Sequence, residues 1–247
     1  MSDSPADFPP PRTWPTVLWV LAGAAMVVVA QAAGLLVVLG REKLLHPAQP
    51  FVLYGLMRSG AAISIITFTS SLVLLLAFLG FTRIRTRAVR LYLGLRLPSL
   101  RAFLLGVVAL VATLAALGFV SSNFSDPRAL TFMRQMFVSA RQEHLLWLLV
   151  GAVSIAAPIG EEITFRGFLY KTIEIRFGPV AAILATALGW AALHIQYGLV
   201  SIASIFAIGL FLGVTRYYSR SLVLTMILHG IWNGVALLGS AMMFSGS

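Results

Sequence analysis

Seven stretches of this chain are apolar over about the length a helix needs to cross a bilayer, and nothing else in the sequence restricts the fold so tightly. A hydrocarbon core about 30 Å thick takes about 20 residues of helix, and within it every backbone N–H and C=O has to be bonded inside the protein. The stretches cover residues 14–39, 61–81, 102–120, 144–170, 179–197, 199–217 and 222–244. The expected fold is therefore all-α, a polytopic transmembrane helix bundle of about seven spans. Residues 51–56 form a further short apolar run. They extend the second span, lie in the interface, or bring the count to eight. Composition agrees, since 59% of the 247 residues are hydrophobic, 11% are charged and mean hydropathy is +0.93, far from the soluble average.

Residues 1–13 (MSDSPADFPPPRT) are rich in proline and small polar residues and are expected to be a disordered tail. A single transmembrane domain over 14–247 follows. Ala30-Gln31-Ala32 resembles a signal-peptide cleavage site, but the apolar run continues to Leu39 behind two acids and one arginine. A retained anchor is the expectation.

The net charge of +10 belongs to the gaps between spans rather than to one helix face, which makes it a topology signal and argues against nucleic acid as a partner. Arg83, Arg85, Arg87, Arg90, Arg96 and Arg101 form the densest basic loop. With that loop in the cytoplasm, alternation adds Arg12, Lys171, Arg176, Arg216 and Arg220 to the same side. Arg41, Lys43, Arg58, Arg128, Arg134 and Arg141 fall on the other, eleven against six with Arg166 inside the membrane. The expectation is an integral protein of a bacterial cell membrane, N-terminus cytoplasmic and C-terminus outside. The arginine-rich loop would meet anionic headgroups of the lipid bilayer.

Ionisable residues within such spans mark function. Glu161 and Glu162 lie in the fourth, with Arg166 four residues after the second acid; the later spans bring His194, then His229 and Asn233 at helical spacing. On a helix Glu162 and Arg166 face each other, whereas Glu161 is turned about 100° away. Glu162 is thus assigned to an ion pair and Glu161 to a cavity. An unpaired carboxyl in an apolar site holds its proton more tightly, which suits a general base. Pro158 and Gly160 weaken the helix just before the acids, a break tolerated where it lines a wet cavity. His229 and Asn233 share a face with Gly230 and Gly234 beside them, and both side chains can donate to an oxygen gaining negative charge. His194, four residues after Trp190, would position the water that Glu161 activates. The plainer alternatives are a polar interhelical clamp for the acids, glycine-mediated packing for the His229 helix, and a satisfied core histidine for His194.

Other chemistries fit less well. The chain has no cysteine, no H-E-x-x-H and no G-x-S-x-G; Arg166 beside the acids disfavours a cation, and Ser154 has no histidine at a neighbouring position. His46 and His144 sit at span edges. No metal and no cofactor are expected, and no pair of interrupted helices in corresponding halves points to a transporter.

The pattern Glu161-Glu162-x-x-x-Arg166, Trp190-x-x-x-His194 and His229-x-x-x-Asn233, in that order, resembles the CPBP family of membrane proteins, which includes the type II CAAX prenyl endopeptidases and the Rce1-like and Abi proteins. The likeness covers residues 144–244. Trp190 departs from it, since the pattern usually has phenylalanine there. The resemblance implies a metal-independent intramembrane glutamic endopeptidase acting on a membrane-embedded or lipid-anchored peptide or protein, CAAX-type in some members. It also implies catalytic roles for Glu161, His194, His229 and Asn233, supported by Glu162 and Arg166. Other members are described as bacteriocin-immunity or scaffold proteins, which is the alternative function.

Overall fold

The computed structural model describes residues 13–47, 58–124 and 126–244. Every regular element among them is helical: α1 (Thr13–Leu45), α2 (Gly60–Arg85), α3 (Val89–Leu93), α4 (Leu100–Asn123), α5 (Pro127–Gln142), α6 (Leu146–Gly151), α7 (Ala157–Glu162), α8 (Tyr170–Ala192), α9 (Leu199–Ser219) and α10 (Leu222–Phe244), with π-helical turns at Ala152–Ala156 and Ile163–Leu169. The run 51–56 and the tail up to residue 12 lie outside the described residues.

Six helices are long and apolar enough to cross a membrane, and the protein is an integral membrane protein. One of them, Leu146–Ala192, is 47 residues long. It is two limbs bent at Gly178, whose φ of 81° is open to glycine and strained for other residues, with Pro179 starting the second limb. Six such helices stand where seven spans were expected, because the expected fourth and fifth spans are the two limbs of this one helix and the second limb ends at Ala192, short of a full crossing.

Within the bundle, buried hydroxyls turn back on their own helices, which is how polar side chains are tolerated without water. Ser64 donates to Gly60 O, Thr82 to Phe78 O, Thr164 to Gly160 O and Thr186 to Ala182 O. The two ends of the bundle differ in charge. At one, Arg96 donates to Ser219 O at 3.0 Å and Leu222 N to Gly94 O at 2.8 Å, tying the basic loop to the α9–α10 turn. Arg85 there lies over the rings of Trp19 and Tyr92, so the start of α1 belongs to the same end. Arg216, grouped with the loops on sequence grounds, is instead 6% exposed. Its guanidinium donates to Arg166 O and Leu93 O.

The other end is organised by α5, an amphipathic helix in what reads as a gap between spans. Asp126 caps it, accepting from Arg128 N and Ala129 N at 3.2 Å, with Pro127 in the first turn. The same carboxylate accepts from Ser201 N at 3.3 Å, so it joins the starts of α5 and α9. Met136, Phe137 and Ala140 pack there with Leu149 and Leu237, which brings the C-terminal helix to the end opposite the start of α1.

Candidate active site

The helix that carries the two glutamates departs from α geometry on both sides of them. Pro158 has no N–H for the carbonyl of Ser154, and its ring crowds that carbonyl away; the π-turn at Ala152–Ala156 sits there, and α7 follows before the second π-turn. π-Turns widen the coil and recur at functional sites. A neighbouring helix uses the exposed carbonyls. Asn233 Nδ2 donates to Val153 O at 2.8 Å. A Cβ at Gly230 would stand 2.6 Å from Ser154 O, so glycine is what lets α10 approach.

Glu162 and Arg166 are both fully buried, and Arg166 Nη1 donates to Glu162 Oε1 at 3.0 Å. Helical spacing produces this contact through the widened turn. Arg166 Nη2 donates to Gly209 O at 3.1 Å, and its guanidinium carbon lies 4.6 Å from the Trp190 ring centroid. The charge is therefore paired, hydrogen-bonded and stacked, as a buried cation requires. His229, 1% exposed, places Nδ1 3.0 Å from the same Glu162 Oε1. A carboxylate oxygen accepts, so that nitrogen carries the proton.

Glu161 has a different environment. Its side chain is 29% exposed, Oε2 accepts from Trp190 Nε1, and Nε2 of His229 stands 3.9 Å from that same oxygen. His229 thus lies between the two acids, one ring nitrogen toward each. Among the described residues no protein donor bonds Glu161 Oε1.

His194 places Nδ1 2.9 Å from Trp190 O. A carbonyl can only accept, so Nδ1 is protonated and a neutral ring keeps its lone pair on Nε2. No hydrogen bond joins His194 to Glu161 among the described residues; the two meet through Trp190, whose ring centroid is 5.4 Å from that of His194. Tyr197 stacks on His194 at 6.0 Å and meets Phe132 of α5 edge-on. Burial pushes the Tyr197 phenol up to about 12, so it is a neutral donor.

The six residues singled out by sequence are therefore placed unevenly. Glu161, Glu162, Arg166 and His229 form one connected group, His194 adjoins it through Trp190, and Asn233 is engaged by the π-turn. The expectation that neutral His229 donates to an oxyanion meets an obstacle, because a neutral ring has already given its one N–H to Glu162. Sequence reasoning missed Trp190 as a polar contributor. The signal was the indole N–H at a position where the resembling pattern has a phenyl ring. Among the described residues no three His, Cys, Asp or Glu side chains gather into a set that would hold a metal ion.

A family-model comparison falls on this same part of the chain. Residues 143–235 match the family model for type II CAAX prenyl endopeptidase Rce1-like proteins. An uncharacterized 24.3 kDa protein of Escherichia coli is 32% identical over 101 residues, which are 40% of this chain and 46% of that protein. The chain thus spans less than half the length of that relative. No solved structure matches. The matched segment contains both π-turns, Glu161, Glu162, Arg166, Trp190, His194, His229 and Asn233, and over it the chain is similar to type II CAAX prenyl endopeptidase Rce1-like proteins.

Proposed function

We propose that this protein is an intramembrane endopeptidase in which Glu161 activates the attacking water. The observation that carries the reading is the unequal treatment of two adjacent acids. Glu162 is sealed in an ion pair, whereas Glu161 is partly exposed and, among the described residues, oriented by one donor and left with one oxygen unbonded by protein. A clamp uses an acid as Glu162 is used and has no need of the other.

In this mechanism water bound at Glu161 Oε1 gives its proton to the carboxylate as its oxygen bonds the peptide carbonyl carbon. His194, with its lone pair on Nε2, orients that water. The oxyanion is met by the second N–H of Asn233 and by His229 in its doubly protonated form, whose Nε2–H becomes a donor while Nδ1–H stays on Glu162. Collapse breaks the C–N bond, and Glu161 returns the proton to the leaving nitrogen. Arg166 keeps Glu162 ionised, and Glu162 keeps His229 in register.

The substrate class that fits is a peptide held in or anchored to the bilayer, CAAX-type being the first to try. The basic end of the bundle is placed in the cytoplasm of a bacterial cell, with the N-terminus on that side. The test is cleavage of a farnesylated CAAX-type peptide by the purified protein in liposomes, with products read by mass spectrometry. Release of the C-terminal fragment, unaffected by prolonged EDTA or phenanthroline, is expected. Loss of cleavage with chelator and its recovery on adding stoichiometric zinc would replace the proposal with a metal mechanism.

A further inference from the structure

Trp190 is one of the largest fully buried side chains, 1% exposed, yet its polar atom is turned to a partly exposed carboxylate. The indole contacts four other members of the site, Glu161, Arg166, His194 and His229. Its N–H bonds Glu161 Oε2, its face takes the Arg166 guanidinium at 4.6 Å, and its ring meets His229 at 5.1 Å and His194 at 5.4 Å, both near edge-on. Its own carbonyl holds Nδ1 of His194. Among the described residues the indole is the one hydrogen-bond donor to Glu161, since His229 Nε2 at 3.9 Å is too far to bond.

A carboxylate on a flexible side chain, with no donor to fix it, samples rotations that spoil its alignment with a bound water. A charge-assisted hydrogen bond to one oxygen sets the plane of the group and leaves the other oxygen free. A phenyl ring would keep the stacking on Arg166 but supply no donor. We infer that Trp190 is a positioning residue whose indole N–H orients Glu161, so that Oε2 is held by protein and Oε1 is presented to the water. The inference rests on the reading of Glu161 as the base. It is specific to tryptophan at this position.

Two readouts test it on the full-length protein. In detergent micelles the indole N–H resonance of Trp190, assigned by its disappearance in Trp190→Phe, should lie downfield and move upfield in Glu161→Ala. In liposomes Trp190→Phe should lower kcat on the farnesylated CAAX-type peptide by roughly ten- to a hundredfold, the equivalent of one hydrogen bond to a charged group, at unchanged KM. Replacing the indole by benzothiophene, which keeps the shape and removes only the N–H, should do the same and serves if the phenylalanine variant folds poorly. An indole resonance that ignores Glu161→Ala, or wild-type kcat in the benzothiophene protein, overturns the inference. A wild-type protein that leaves the peptide intact counts against the peptidase reading, and the resonance then decides the contact by itself.

Discussion

Arg166 and Glu162 have no route to solvent, so each depends on the other for its charge. Removing one partner of a buried pair typically costs about 3–5 kcal/mol, because the survivor is left charged in an apolar medium. Arg166→Ala should therefore lower the melting temperature and membrane yield as well as activity. The double variant Glu162→Leu with Arg166→Met should regain stability and stay inactive, because apolar replacement removes the uncompensated charge but also the acceptor for His229 Nδ1. An Arg166→Ala protein with normal yield and melting temperature would show that the pair contributes nothing. That pairing was legible in the sequence, since i and i+4 spacing on one helix suffices to infer it. The position of His229 between the two acids was not. It depends on how α10 packs across the widened turn, and spacing within one helix carries no information about that.

The elements hold the site through close backbone contacts. Gly230 admits the Ser154 carbonyl, and Gly160 does the same for α2, with a Cβ there 2.8 Å from Ser71 Cα. Gly230→Ala should destabilise by about 1–3 kcal/mol through overpacking, and chemical unfolding in detergent checks it; no change would mean that α10 has room to shift. The π-turns themselves were hidden from sequence, because apolar periodicity assumes 3.6 residues per turn throughout. Pro158 announced a break without saying how it is absorbed. By contrast α5 was legible and overlooked: Asp126-Pro127 is a helix start, and Met133, Met136, Phe137 and Ala140 recur on one face. Burial pushes the Asp126 carboxyl up, but hydrogen bonds from Ser201, Ala129 and Gly198 outweigh it and hold it below its ordinary value. A lowered folded value means stabilisation that is present above the unfolded value, about 3.9, and is lost as pH falls through the folded one. Wild type should thus melt higher than Asp126→Asn at neutral pH, and the gap should close as the pH drops below about 4. A gap that stays constant would show that Asp126 is not capping as a carboxylate.

Across the whole molecule the charge asymmetry between the ends becomes an orientation that can be measured. The chain lacks cysteine, so single cysteines are clean reporters. Arg87→Cys should react with a membrane-impermeant maleimide only after permeabilisation, and Thr131→Cys on α5 should react in intact cells; the reverse pattern would invert the topology. The membrane-spanning helical character was readable from hydropathy, because length and apolarity decide it, but the count was not: residues 144–170 and 179–197 read as two spans, whereas Leu146–Ala192 is one helix bent at Gly178. What hydropathy left out was which side chains meet at the centre. The central claim concerns that centre, and the measurement that meets it most directly compares wild type and Glu161→Gln at equal fold and concentration. With both proteins in liposomes of the same lipid and the farnesylated CAAX-type peptide as substrate, the variant keeps the shape of the side chain and loses the base. Its turnover should fall by at least about a hundredfold, at unchanged melting temperature. Turnover by Glu161→Gln at the wild-type rate would contradict the account.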